Sequence, residues 1–221
     1  MNSQRLMTIR GRLSVLATCT IVTAAGGCQG LDSSEPTGGP FGEHLPQTEA
    51  EFTTLGEAAL QLNAEKAPLQ RLDPVVGKWL IEGTFSPWPG SPVSSIAPIC
   101  ESKWILGGRC LQFRYRYSIP GEVISDLVIV GWNSLDHTYS IQLYSSGWPL
   151  PTHGTGQWNE ETNALDFVIH TINPSTKQPI KTLYRLSDIN PESHRWSQFR
   201  TKDNGELEAF FIMNAKKAPA Q

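Results

Sequence analysis

The five histidines, His44, His137, His153, His170 and His194, are the side chains best suited to metal or acid–base chemistry. None pairs with another at i, i+4 on a helix or sits beside a cysteine, so the usual zinc-holding spacings are absent. His153 and His170 fall on adjacent predicted strands joined through Asn159–Asn163. One residue of register decides whether they are cross-strand neighbours or face opposite ways, and without further ligands they read as surface histidines. A haem-binding barrel would need a strand histidine facing inward, for which His170 is the candidate, but no haem motif accompanies it. No metal and no cofactor is expected. No Gly-x-Ser-x-Gly occurs, and the serines near Trp88 and Trp148 have no base nearby. Glu101, Asp126 and Asp166 alternate with apolar neighbours, as solvated strand positions do. No residue is therefore assigned as catalytic, and an enzyme with an unrecognised site is the least favoured reading.

Binding chemistry has better candidates. Trp88 and Trp148 lie in proline-rich segments, where an indole is exposed unless it covers something. Such rings either line a ligand entrance or fold back over a core. Tyr115 and Tyr117 share a strand face with Leu111 and Phe113, while Gln112, Arg114 and Arg116 take the other face. One side is packed and one wet, so the arginines mark an outer wall rather than an anion site. Trp88, Tyr115, Tyr117 and Trp148 are the expected ligand-contacting residues.

The elements that would position them are mostly short alternating segments. We place strands near Lys78–Phe85, Val93–Ile105, Arg109–Ile119, Glu122–Trp132, Thr138–Tyr144, His153–Trp158, Ala164–Thr171, Pro179–Leu186, His194–Thr201 and Glu206–Asn214. Turn signals such as Gly107-Gly108, Pro120-Gly121 and Asn190-Pro191 punctuate them. The short connections predict an all-β, up-and-down antiparallel barrel of about ten strands, because closure removes exposed edges. The loops after the first, third, fifth and seventh strands share one end and are richer in proline. Before the barrel, Thr48 with Glu51 forms a capping-box pattern, and Phe52, Leu55, Ala59 and Leu62 recur at helical spacing. This predicts an amphipathic helix over about Glu49 to Lys66, placed to close the opposite end.

If Gly107-Gly108 makes a two-residue turn, Ile105 faces Cys110 and Cys100 faces Tyr115. The two sulfurs then point to opposite sides of the sheet, which argues against a disulfide. Further upstream, Leu13 to Ala25 is a short apolar run preceded by Arg5, Arg10 and Arg12, with no acidic residue before Asp32. Such a run is too short to span a bilayer and reads as a secretory signal. Cys28 directly follows Ala25-Gly26-Gly27, an arrangement that resembles the lipobox of exported bacterial lipoproteins, with Ala at 25 in place of the usual Leu or Val. The resemblance implies cleavage before Cys28, acylation of its thiol, and a membrane partner held through lipid on the periplasmic or cell-surface side. Without residues 1–27, 15 basic residues face 21 acidic ones, a formal charge of −6. That sign excludes nucleic acid as an expected partner. Residues 28–47, rich in Gly, Pro and Ser, form a flexible tether. Residues 48–68 hold the helix, 69–216 the barrel, and 217–221 a short tail.

Four segments carry a resemblance to known proteins. Leu72-Asp-Pro-Val-Val-Gly-Lys-Trp79 resembles the Leu-x-x-x-x-Gly-x-Trp opening of calycin-like barrels. Trp104-Ile-Leu-Gly-Gly-Arg-Cys-Leu111, Val130-Gly-Trp-Asn-Ser-Leu-Asp-His-Thr-Tyr139 and Gly154-Thr-Gly-Gln-Trp-Asn159 are similar to segments of a bacterial family known as domain of unknown function 1579. Cys110 stands where that family has Phe, and His137 where it has Lys. The resemblance covers about residues 70–216 and implies a lipocalin-like barrel; it supplies no catalytic residue. The leading expectation is a lipid-anchored barrel that binds a small, mostly apolar ligand. The rival is a structural or interaction lipoprotein with a filled barrel; its protein partners cannot be named.

Overall fold

The computed structural model describes residues 45–219 apart from 64, 66, 87, 120 and 203. The leader, Cys28 and nearly all of the expected tether lie outside those residues. The described chain forms α1 (Glu49–Asn63), α2 (Ala67–Gln70) and a 3-10 turn at Asp73–Val75 before the sheet begins. The strands are β1 (Gly77–Phe85), β2 (Ser94–Ile96), β3 (Ile99–Ile105), β4 (Cys110–Ile119), β5 (Glu122–Asn133), β6 (Thr138–Ser145), β7 (Trp148–Asn159), β8 (Ala164–Ile172), β9 (Pro179–Ser187), β10 (Ser193–Thr201) and β11 (Leu207–Lys217).

From β3 onward each strand pairs antiparallel with the next, and β1 closes the ring on β11 from Trp79 opposite Lys217 to Phe85 opposite Phe211. β2 and β3 both pair with β1 in one continuous register, Gly83 facing Ile96 and Trp79 facing Cys100. They are one stave interrupted at Ala97-Pro98, where proline has no N–H for the ladder. The Pro98 carbonyl still accepts a bond from the Ile81 amide at 3.0 Å. The protein is thus a closed, lipocalin-like antiparallel barrel of ten staves, as the strand pattern predicts.

The β3–β4 register is also the expected one: Ile105 faces Cys110, Cys100 faces Tyr115, and both thiols are free. The connection is longer than a two-residue turn, however. Leu106, Gly107 and Gly108 all have positive φ, and the ladder resumes only at Cys110. A four-residue loop keeps the same residues opposite one another, so the facing pattern survives.

The capping box forms at α1: the Glu51 amide donates to Thr48 Oγ1 at 3.2 Å, and the Thr48 amide donates to the Glu51 carboxylate at 3.1 Å. Yet α1 stops at Asn63 and does not close the barrel. Phe52, Leu55 and Leu60 are all exposed. Closure falls instead to the segment directly before β1, whose Leu69, Leu72 and Val75 are buried in the core. Hydrogen bonds fasten it there. Tyr139 Oη donates to the Pro68 carbonyl at 2.6 Å and Trp79 Nε1 to the Val75 carbonyl at 2.9 Å. The Ser102 hydroxyl donates to the same Val75 carbonyl. Residues so close to the first strand reach the barrel floor through the single turn of α2 and the 3-10 turn after it, which is why the amphipathic face of α1 is not needed there.

Above that plug the lower interior is filled by rings. Trp79, Phe113, Phe167 and Trp196 are at most 1% exposed. Trp196 stands edge-on to Phe113 at 5.6 Å and lies stacked with Tyr184 at 4.9 Å. Such offset and edge-to-face pairs add to simple area burial. Two inward-facing glycines on β7 make room for this packing. A Cβ on Gly156 would lie 2.4 Å from the Asp166 carbonyl and 2.6 Å from the Phe167 ring, and one on Gly154 would lie 2.3 Å from the Val168 carbonyl. The Gly-Thr-Gly segment therefore lets β8 press its large side chains against β7.

His194 is embedded in this floor, 1% exposed, with its ring 4.5 Å edge-on from Trp79 and neither nitrogen hydrogen-bonded. Burial pushes its pKa down to about 4, helped by the Lys217 ammonium nearby. The unfolded chain takes up a proton at an ordinary histidine pKa, so folding loses stability as the pH falls from about 6.5 to about 4. The expected loss from this group is up to about 3 kcal/mol. Urea unfolding of the natural chain and of His194→Phe across that window checks it. The difference between the two should shift in the variant's favour as acid is added, and a constant difference would exclude the assignment.

Candidate functional site

The half of the barrel toward the β4–β5, β6–β7 and β8–β9 turns is hollow. Its cavity measures about 510 Å³, within the range of small-molecule sites. A shallower depression of about 760 Å³ lies over the outer faces of β1 and β3–β6. Lys78, Glu101, Arg114 and Arg116 at its walls are solvent-exposed, making it a wet groove rather than an enclosed site.

The wall around the cavity is incomplete at two seams. The β7–β8 ladder ends at His153 opposite His170, so Trp148–Thr152 pairs only with β6. Pro149 and Pro151 fall in this stretch, where a missing N–H costs no bond on the open side. The expected strand start at His153 is therefore five residues late, and the segment taken for a proline-rich loop is an edge extension of β7. The second seam lies between β9 and β10, whose ladder stops at Leu183 opposite Phe199. A single side-chain bond crosses it near there, from Gln198 Nε2 to Thr182 Oγ1 at 3.0 Å. The tip of the β8–β9 hairpin thus stands as a two-stranded ribbon with a free seam on each side.

Apolar groups dominate the lining: Val128, Leu143, Leu150, Ile169, Ile180 and Met213. Phe210 and Phe211 both reach it, although adjacent strand residues normally face opposite ways. A bulge resolves this, because the β10–β11 register slips between Gln198 and Phe199 and leaves Phe210 as the extra residue.

Set into this lining is one polar cluster. Asp126 faces Tyr115 across β4–β5 and Ser145 across β5–β6, and Tyr184 approaches from the far wall. Asp126 Oδ1 is buried without a hydrogen-bond partner. Burial raises the Asp126 pKa, partly offset by the Ser145 and Tyr117 hydroxyls, which favour its charged form. The Tyr115 hydroxyl faces the Cys100 thiol and no oxygen or nitrogen partner. Burial likewise raises the pKa of Tyr115, Tyr117 and Tyr184, and pushes the Cys100 thiol up to about 12. Groups that hold their protons this firmly stay neutral near pH 7, available as hydrogen-bond donors but poor nucleophiles. The other charged residue on the lining, Arg200, is engaged: its Nε donates to Glu208 at 2.7 Å, its Nη1 to the Ser86 carbonyl at 3.2 Å, and its guanidinium lies over Phe210.

Of the residues singled out from sequence, Tyr115 and Trp148 line the cavity, with Trp148 37% exposed at its rim. Tyr117 stands beside Asp126, one pleat nearer the mouth, but does not itself line the cavity. Trp88 does not join them. It is 61% exposed in the turn after β1, where its carbonyl accepts the Ser91 hydroxyl at 2.7 Å, and it lines no part of the cavity. His153 and His170 are cross-strand neighbours on the outer face, ring centres 6.3 Å apart, so His170 cannot serve an interior haem. No cluster of three metal-ligating side chains exists among the described residues. Asp126, read as a solvated position, is half-buried and turned inward: both faces of β5 are apolar, so alternation alone could not orient it. The signal lay in the β4–β5 turn. With Ile119 opposite Glu122, Asp126 must fall opposite Tyr115 and share its inward face.

A ten-stave barrel with a packed floor and a hollow, apolar upper half defines a calycin-like protein. The chain belongs to the family described as "Protein of unknown function (DUF1579)", which matches residues 64–217. Among solved structures, it is similar to Rv2717c from M. tuberculosis at 12% identity and a TM-score of 0.48, over 68% of this chain and 97% of that one. It is also similar to the S-type phycobiliprotein lyase CPES from Guillardia theta at 13% identity and a TM-score of 0.45, over 69% and 93% of the two chains. No curated protein matches.

A buried acid whose pKa is raised lowers stability once it ionises. Asp126 binds its proton more tightly folded than unfolded, so its contribution is favourable in acid and is lost as the pH rises through the folded-state pKa. Asp126→Asn should therefore be more stable than the natural chain at pH 7, with the gap closing below about pH 4. Thermal unfolding of both proteins at the two pH values checks this; a variant less stable at pH 7 would show that the carboxylate is held by groups that outweigh its burial.

Proposed function

We propose that this protein is a membrane-tethered, extracytoplasmic carrier or sensor that holds a small, mostly apolar molecule in the upper half of its barrel. The observation that carries the reading is the hollow itself: the lower interior is packed by Trp and Phe, whereas about 510 Å³ next to it is left unfilled. Apolar groups lining a concave space gain from an apolar guest that replaces water. The two seams beside the β8–β9 ribbon supply a route by which a guest could enter without breaking a backbone ladder. Trp148 at the rim would report its arrival. The tether rests on sequence alone, on the basic, apolar and small-residue pattern that ends at Cys28. More than one acyl chain on that residue would hold the barrel stably at a membrane surface.

Titration with N-phenyl-1-naphthylamine, an uncharged fluorophore that brightens in apolar surroundings, tests the cavity. Saturable enhancement at one probe per chain is expected, lost in Thr152→Trp, which fills the cavity from a half-buried rim position, while circular dichroism stays unchanged. Absence of enhancement with the natural chain would overturn the reading. The address is tested separately by mass spectrometry of the membrane-extracted mature protein: a diacylglyceryl-modified Cys28 is expected, and an unmodified thiol there would remove the tether but leave the cavity.

A further inference from the structure

The polar cluster narrows the chemistry of the guest, an inference that rests on the cavity being a binding site. Among the described residues, two charged side chains border the hollow, Asp126 and Arg200. Arg200 already has a carboxylate, a carbonyl and an aromatic ring as partners. Asp126 has no basic residue of the lining free to answer it, and its Oδ1 is buried and bare. Around it stand aromatic rings: Tyr115 directly opposite, Tyr117 beside it, and Tyr184 from the far wall. The hydroxyl of Tyr115, itself 5% exposed, also lacks an oxygen or nitrogen partner.

A carboxylate needs a compensating charge when it leaves water, and aromatic faces attract cations through their negative quadrupole. We propose that the ligand is an amphipathic organic cation, a protonated amine or quaternary ammonium on an apolar body, with its charged head held at Asp126 between Tyr115 and Tyr184, and with the Tyr117 hydroxyl orienting the carboxylate from behind. The apolar body lies against Val128, Leu143, Ile169 and Met213, and the phenol hydroxyls offer acceptor lone pairs to any N–H the carboxylate leaves unused. An anionic amphiphile is disfavoured on the same geometry, since its head would face Asp126. A neutral alcohol satisfies Oδ1 with one hydrogen bond but leaves the charge uncompensated.

Competition with bound N-phenyl-1-naphthylamine at pH 7.5 tests this with four ligands sharing one twelve-carbon tail, all below their micelle concentrations. Dodecylamine and dodecyltrimethylammonium should displace the probe at concentrations about tenfold below dodecanol, the magnitude expected of a desolvated cation–π and ion pair. Dodecanoate should be the weakest. In Asp126→Asn the ratio between the cations and dodecanol should fall to about twofold or less, while Glu122→Gln, which removes an exposed acid near the same mouth, keeps it. Equal displacement by dodecanol and dodecylamine in the natural chain, or an undiminished cation preference in Asp126→Asn, would overturn the proposal. In either case continued probe binding would leave the apolar cavity standing; failure of the probe itself to bind would instead remove the reading beneath it.

Discussion

The seven-residue pairing of β1 with β11 fixes the circumference on which everything else depends. Eight staves enclose an interior that side chains can fill; ten enclose more. The excess has to be taken up by unusually large residues or left open. This chain does both. Trp79, Phe113, Phe167 and Trp196 fill the lower half, with Leu72 and Val75 sealing it from below. Toward the other end Thr152, Thr171, Thr182, Ser145 and Asp126 alternate with larger apolar groups such as Leu150, Ile180 and Phe211, and together they leave the middle unfilled. The hollow is thus a consequence of a wide ring and an uneven distribution of side-chain volume along its axis.

The same unevenness governs rigidity. The floor is held by continuous ladders, a ring cluster and hydrogen bonds to the plug, and glycines at 154 and 156 let β7 and β8 close tightly. Near the mouth two ladders end early, and proline at 149 and 151 keeps one from extending. Local opening is cheapest where backbone bonds are few and apolar contacts sparse. The β8–β9 ribbon meets both conditions, so motion that admits a guest need not disturb the packed half.

Much of this was legible in the sequence, for physical reasons that differ by element. Strand positions followed from period-two alternation, strongest in Leu111–Tyr117, where Leu and aromatic residues take one face and Gln112, Arg114 and Arg116 the other. The β3–β4 register followed from a glycine turn, and its consequence for Cys100 and Cys110 held even though the turn is two residues longer. What failed were inferences from composition. Proline between Ser145 and Thr152 suggested a loop, but proline is tolerated on a strand edge. Periodicity in α1 suggested packing, but a period says which face is apolar and not that a partner exists. Trp88 resembled Trp148 in its surroundings, yet only the latter is placed on a stave that borders the hollow. Phe210 could not be found at all, because a bulge has no reliable sequence mark.

Asp126 shows why the site, unlike the fold, needs more than pattern. Nothing in the architecture requires an acid there: Ile124, Val128 and Val130 occupy the other inward positions of β5 and are buried. Its neighbours do not neutralise it, since Arg200 is spent on Glu208 and the surrounding hydroxyls oppose burial only in part. A carboxyl held in an apolar space without a counter-charge is a net cost to folding. Residues that weaken the fold while lining an accessible cavity are those for which a functional constraint is the simplest physical account. The acid, the three phenols that ring it and the unfilled volume beside them therefore belong to one device, and the packed floor offsets the stability that the device removes.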